Sequence, residues 1–163
     1  MRFKAVKTEY YDPKAFVETM KPVADRTVRR FQDDFKKTTQ GFKTRITFRT
    51  VKKINDRGWI IAVGTDNEIY AYLNYGTKPH AIRPKKARRL RFRGGYTSKT
   101  VPGRLNTRPG GSSGDYVSAK EVQHPGTDAR NFDKEIVRRN QQPIVDDVKD
   151  AFREAAKKRK SRP

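Results

Sequence analysis

From Asp12-Pro13 onward, apolar side chains recur at Phe16, Met20, Val23/Ala24, Val28, Phe31 and Phe35. Steps of three to five residues gather them on one stripe of a long helix, and such a stripe needs a partner surface to cover it. Asp12 can cap this helix and Pro13 suits its first position. Pro22 should bend or divide it, and Gly41 is a natural stop. An aromatic stripe of this kind is core, or a contact between subunits, rather than a cofactor box.

The period then changes. Over residues 42–53, Thr44, Ile46, Phe48 and Thr50 alternate with Lys and Arg, Asn55-Asp56-Arg57-Gly58 supplies turn chemistry, and residues 59–63 form a second apolar run. Together they read as an antiparallel hairpin. Asp66 is placed to cap a short helix over 68–73, although the same residues also suit a strand. Further short strands are expected around 81–83, 90–92 and 116–123. Between them, residues 94–114 are rich in Gly, Ser, Pro and Thr without apolar periodicity, which predicts a long flexible loop. Phe132 and Ile136, then Ile144, Val148, Phe152 and Ala156, predict a helix that breaks before Pro143 and an amphipathic helix after it. The expected fold is α+β: a long N-terminal amphipathic helix and a C-terminal helix packed on one antiparallel sheet. A single domain over residues 1–156 would carry the basic loop, with a basic tail at 157–163.

The core of such a domain is thin. Only 33% of the 163 residues are hydrophobic and 35% are charged. Burial between identical subunits is one way to supplement a small core. Nine Phe, seven Tyr and one Trp still suffice for an ordered domain.

Charge is the second constraint on function. The formal net charge is +21, and between Glu68 and Asp115 there is no acidic residue but eleven basic ones. We expect Lys85, Lys86, Arg88, Arg89, Arg91 and Arg93, with Lys99, Arg104 and Arg108 from the loop, to form an electropositive surface for nucleic acid or an acidic partner. Lys157, Lys158, Arg159, Lys160 and Arg162 close the chain with a second basic cluster. There is no cysteine, so disulfides, thiolate metal sites and cysteine nucleophiles are excluded. The first twelve residues lack the apolar run of a signal peptide, and no stretch approaches the length of a membrane span. An aqueous, intracellular setting is expected.

Catalytic signatures are not found. The sequence contains no P-loop, no G-x-S-x-G elbow and no H-E-x-x-H. Asp33-Asp34 and Asp146-Asp147 are neighbours on expected helices and point in different directions, so neither makes a paired-carboxylate site. The two histidines, His80 and His124, each lie beside a proline in a turn. They would supply half a metal site at most, so hydrogen-bonded turn histidines are expected, with no metal or cofactor. A His-centred ribonuclease is the faint catalytic alternative.

Two segments carry a resemblance. One is Tyr75-Gly76-Thr77-Lys78-Pro79-His80-Ala81-Ile82-Arg83-Pro84, followed by Leu90-Arg91-Phe92. The other is Val117-Ser118-Ala119-Lys120-Glu121-Val122-Gln123-His124-Pro125-Gly126-Thr127, followed by Asn131-Phe132. A Gly-Thr-x-Pro-His turn, a basic segment ending in Leu-x-Phe and a His-Pro-Gly-Thr turn, in this order between two helices, resemble the tail-completion (head–tail joining, neck) family of long-tailed double-stranded DNA bacteriophages. The loop at 94–114 is longer and more basic than that family's usual connection. The resemblance implies a non-enzymatic virion protein, assembled in the host cytoplasm as a ring, six-fold by expectation, in the phage neck. Its partners would be itself, the tail terminator, the head connector or stopper, and the tape measure protein, with phosphate-backbone contact to packaged duplex DNA. Gly76, Thr77, Pro79, His80, His124, Pro125, Gly126 and Thr127 would then be architectural turn residues. Gly would supply backbone freedom, Pro stiffness, and Thr hydroxyl bonds to nearby backbone. The competing reading is a basic nucleic-acid-binding module of ribosomal or chromatin type, which accounts for the charge but not for the turns.

Overall fold

The computed structural model describes residues 13–55 and 58–160. The expected cap at Asp12, the turn residues Asp56 and Arg57, and the end of the basic tail (161–163) lie outside them. Helix α1 spans Pro13–Thr38 and buries Met20, Val23, Ala24, Thr27, Asp34, Phe35 and Thr38. Three of these seven are polar. Thr27 takes the inward position expected of Val28, its hydroxyl donating to the Val23 carbonyl at 2.9 Å, and Thr38 donates to the Phe35 carbonyl at 2.6 Å. Hydroxyls bonded back to their own helix can share an apolar stripe without an unmet bond. Pro22 does not divide α1. It is exposed, as is Glu18 one turn earlier, so the carbonyl deprived of its partner faces water.

The C-terminal helix also departs from expectation. Helix α3 runs unbroken over Phe132–Lys160 with Pro143 inside it, so there is one helix where a break was expected, and the first residues of the basic tail prolong it. Pro143 is exposed, and packing on both sides of it holds the helix together. The packing is antiparallel to α1: Phe16 meets Phe152 with ring centroids 6.1 Å apart. Further along, Asp147 pairs with Arg26 and Arg30, and Asn140 Nδ2 donates to Asp34 Oδ2 at 2.8 Å.

Strands β1 (Arg49–Asn55) and β2 (Gly58–Gly64) pair antiparallel from Arg49↔Gly64 to Asn55↔Gly58 and lie against α1. The hairpin is as expected, but its first strand begins at Arg49, not near residue 42. Residues 42–48 have no strand opposite them because β2 ends at Gly64. Their alternating apolar side chains pack the connector onto the core instead, Ile46 being buried with Phe42 and Phe48 beside it. Helix α2 spans Glu68–Tyr75 and is capped by Asn67, whose Oδ1 accepts the Tyr70 N–H at 3.0 Å. Asp66, the expected cap, pairs with Arg49 at 2.9 Å.

The core joins Phe35, Ile46, Tyr70, Leu105, Phe132 and Ile136. Tyr70 meets Phe48 edge-on at 5.1 Å and Phe132 at 5.7 Å, and its hydroxyl lies 3.2 Å from that of Thr38. Burial pushes the Tyr70 phenol well above its usual value.

The remaining strands are β3 (His80–Ile82), β4 (Leu90–Arg93), β5 (Tyr96–Thr97), β6 (Gly111–Ser112), β7 (Tyr116–Ala119) and β8 (Val122–His124). They pair antiparallel as β3–β8, β4–β7 and β5–β6, below an isolated bridge between Thr77 and Thr127. These are successive rungs of one two-stranded ribbon. The α+β class stands, but the expected single sheet is replaced by four two-stranded ladders.

The ribbon doubles back on itself. A straight ladder from Thr127 to Gly111 would separate its ends by about 50 Å, at about 3.3 Å per residue. Yet Arg130, three residues past Thr127, hydrogen bonds Ser98 and Thr100 at the far end. Two breaks in register permit the fold-back: residues 83–89 bulge out opposite 120–121, and Gly94 and Gly95 lie against Gly114. Residues 94–114 are therefore not the unstructured loop expected. They contain β5 and β6, bury Leu105 in the core, and are tied to the end of α1 through Lys99 Nζ to the Gly41 carbonyl (2.8 Å) and Thr107 to the Gln40 carbonyl. A single apolar anchor leaves no periodicity to read.

Candidate functional site

The two turn motifs, nearly fifty residues apart in the chain, meet. Thr77 N–H donates to the Thr127 carbonyl at 2.9 Å and Thr127 N–H returns the bond to Thr77 at 3.1 Å. Gly76 and Gly126 have φ of +76° and +92°, the left-handed region that only glycine adopts freely. A Cβ on Gly76 would lie 2.5 Å from the Thr127 carbonyl oxygen, and one on Gly126 would run into that of Thr77. Each glycine is thus required by the other motif's threonine. The threonine hydroxyls were expected to bond backbone groups, but at Thr77 the backbone makes the contact and Oγ1 is left without a partner.

Three residues further along, His80 and His124 face each other across the ladder, rings stacked at 5.1 Å and 27°. His80 Nδ1 lies 2.8 Å from the Lys78 carbonyl, which can only accept, so that nitrogen carries the proton. His124 Nδ1 accepts the Gly126 N–H at 3.0 Å and is therefore bare. The histidines are hydrogen-bonded, as expected, but they sit in paired strands β3 and β8 beside the turns and not in the turns themselves. Both Nδ1 atoms are engaged with backbone, and stacked faces do not converge on a common point. Among the described residues no three of His, Asp and Glu come together as metal ligands.

The paired turn motifs, a clasp closed by the two Thr77–Thr127 backbone bonds, lie beside the start of α3. Buried Asn74, near the end of α2, accepts the Asn131 N–H on its carbonyl at 3.0 Å and the Asp133 N–H on its Oδ1 at 3.2 Å, while Arg130 N–H bonds the Leu73 carbonyl at 3.0 Å. Asn74 was not singled out by sequence: a lone amide near the end of a short helix carries no local signal of its distant partner.

The basic surface is built on the ribbon. Directly opposite residues share a face, and Arg93 pairs with Tyr116, Arg91 with Ser118, Phe92 with Val117 and Leu90 with Ala119. One face therefore carries Arg91, Arg93, Tyr116 and Ser118, and the other is apolar. Arg93 lies over the Tyr116 ring at 5.1 Å, and Arg89 reaches Ser118 Oγ at 3.0 Å. Lys85, Lys86 and Arg88 stand exposed on the 83–89 bulge. Of the nine basic residues singled out, these six form one tract. Lys99 instead ties the ribbon tip to Gly41, and Arg104 and Arg108 line a separate cleft against α3. Arg130, which sequence did not mark, is buried at 8% exposure. Its guanidinium donates to two hydroxyls, Thr100 Oγ1 at 3.2 Å and Ser98 Oγ at 3.3 Å.

No helix among the described residues is long and apolar enough to cross a membrane. Compared with family models, with curated proteins and with solved structures, the chain matches none.

Proposed function

We propose that this chain is a structural protein of a tailed-phage virion, one subunit of a ring in the neck that completes the tail and joins it to the DNA-filled head. The observation that supports the reading is the clasp. The two motifs that carry the resemblance form a single backbone-bonded unit in which the glycines, the threonine carbonyls and the Nδ1 atoms of both histidines all take part. Such a unit is suited to bracing a scaffold. The scaffold leaves apolar surface uncovered: Val51 and Ile60 on the outer face of the hairpin, and Phe92 and Val117 on the ribbon. Repeated around a ring, these surfaces would supply the burial that the thin core lacks. The tail terminator and head connector would meet the ring's two faces, and the basic ribbon would touch phosphates of the passing duplex.

Electron microscopy of particles made without this protein tests the reading. Filled heads separate from tails are expected. Intact, infectious particles, or purified virions lacking the chain altogether, would refute it. Replacing Lys85, Lys86, Arg88, Arg89, Arg91 and Arg93 with Ser should impair joining or DNA contact while leaving the melting temperature nearly unchanged.

One observation favours the second reading, a nucleic-acid-binding module: a two-stranded ribbon is an element that the major groove of duplex DNA admits. The readings separate in solution. A ring former elutes as an oligomer without nucleic acid, whereas a simple binder stays monomeric and binds with a steep salt dependence.

A further inference from the structure

Away from the exposed ribbon tract, the returning tip packs against the first turns of α3 and encloses a cleft of about 700 Å³. Val101 and buried Leu105 contribute to its lining, and four guanidinium groups line it: Arg104 and Arg108 from the tip, Arg138 and Arg139 from the helix. The single carboxylate there, Glu135, is taken by Arg138, whose Nε donates to Oε2 at 3.1 Å and whose Nη2 donates to Oε1. Its carboxyl is held below the usual range by that bond. The cleft thus keeps a net charge of +3. Arg108 is fixed by its Nε bond to the Ser98 carbonyl at 2.9 Å, which leaves its two terminal nitrogens to face a ligand. Among the described residues neither Arg104 nor Arg139 has a carboxylate within ion-pair distance.

Four arginines and no lysine favour an anion with paired oxygens, because the planar fork of guanidinium matches phosphate and carboxylate groups bidentately. The geometry points to a binding site for the phosphodiester backbone of a nucleic acid. An acidic protein fits less well. A peptide brings a backbone N–H donor with nearly every residue to a lining dominated by guanidinium donors, whereas a phosphodiester chain brings only acceptors on its backbone. Sequence did not show this site, because Arg138 and Arg139 lie in an ordinary helical run and gain meaning only when the tip folds onto them. The proposal deepens the polyanion contact above and rests on no part of the neck reading. A chain absent from virions could still hold DNA here, and a neck ring could leave the cleft empty.

The experiment is arginine modification of the full chain by phenylglyoxal, read by peptide mass spectrometry, with and without a 20-base-pair DNA duplex. Protection of Arg104 and Arg139 by at least fivefold is expected with the duplex and not with inorganic phosphate. Equal protection by phosphate would mark a free-anion site, and protection only by polyglutamate an acidic-protein site. Either outcome, or no protection, overturns the proposal. In parallel, duplex affinity is measured against salt for Arg104→Ser/Arg139→Ser and for a charge-matched control on α3, Lys149→Ser/Arg153→Ser. The cleft pair should lose at least tenfold in affinity and about two units of salt slope, at about 0.9 per phosphate contact. Equal losses in the two variants would overturn the assignment.

Discussion

Gly126 shows how much one backbone angle can hold. Its φ of +92° is strained for any side chain, and a Cβ would collide with the Thr77 carbonyl on which the clasp depends. Gly126→Ala should therefore destabilise the fold by about 2–4 kcal/mol, strain and lost clasp bonds together. Urea denaturation measures it, and a loss below about 0.5 kcal/mol would show that the clasp yields without cost. Asp34 is a second pivot. Burial alone would raise its carboxyl, but hydrogen bonds from Lys37 and Asn140 outweigh it and hold the group below its ordinary 3.8. A depressed native value means that this stabilisation is fully present above the ordinary value and is lost as pH falls through the lowered one. Melting temperature should drop on acidification through that window. Asp34→Asn should be less stable at pH 7 and show a flatter acid limb, and an unchanged limb would remove Asp34 from the account.

Among the elements, α3 and the ribbon depend on tertiary contact in opposite ways. Helix α3 carries a proline that local preference opposes by about 3 kcal/mol in a helix interior, and it stays whole because α1 packs along it from Asp34 to Phe16. Pro143→Ala should raise stability by about 1–2 kcal/mol, since it restores one backbone bond at an exposed position without disturbing a contact. A fall in melting temperature would mean that the proline sets a curvature the packing needs. The ribbon has local pairing in plenty but needs Arg130 to keep it folded back. Arg130→Met should lower stability by about 1–3 kcal/mol by removing two hydrogen bonds, one buried and one partly buried. It should also speed amide hydrogen exchange at residues 98–110 more than at residues in the middle of α1. Uniform acceleration would instead place the tip within the global unfolding unit.

At the level of the whole molecule, a chain of 163 residues with 33% hydrophobic content leaves Val51, Ile60, Phe92 and Val117 uncovered while carrying a charge of +21. If identical copies cover these surfaces, mass action links stability to protein concentration. Melting temperature should rise by several degrees over a hundredfold increase in concentration, and an oligomer should be seen by native mass spectrometry without nucleic acid. A concentration-independent transition from a monomer would favour the simple nucleic-acid binder.

What local patterns in the sequence determine, they determine well here. The α1 stripe, the β1–β2 hairpin and the helical run after Phe132 follow from side-chain period alone, and the α+β class follows from their order. The turn motifs were also legible, because glycine and proline at fixed spacing restrict the backbone wherever they occur. Tertiary structure decided everything that depends on who faces whom. It turned two proline-opposed segments into continuous helices, since burial along a whole face outweighs one missing bond. It folded a Gly-rich segment into a ribbon tip, since buried Leu105, the bonds of Arg130 to Ser98 and Thr100, and the ties of Lys99 and Thr107 to the end of α1 anchor what shows no periodicity. And it divided one run of basic residues into an exposed tract and a cleft, because the charge of a side chain is written in the chain, but its neighbours are set only when distant segments meet.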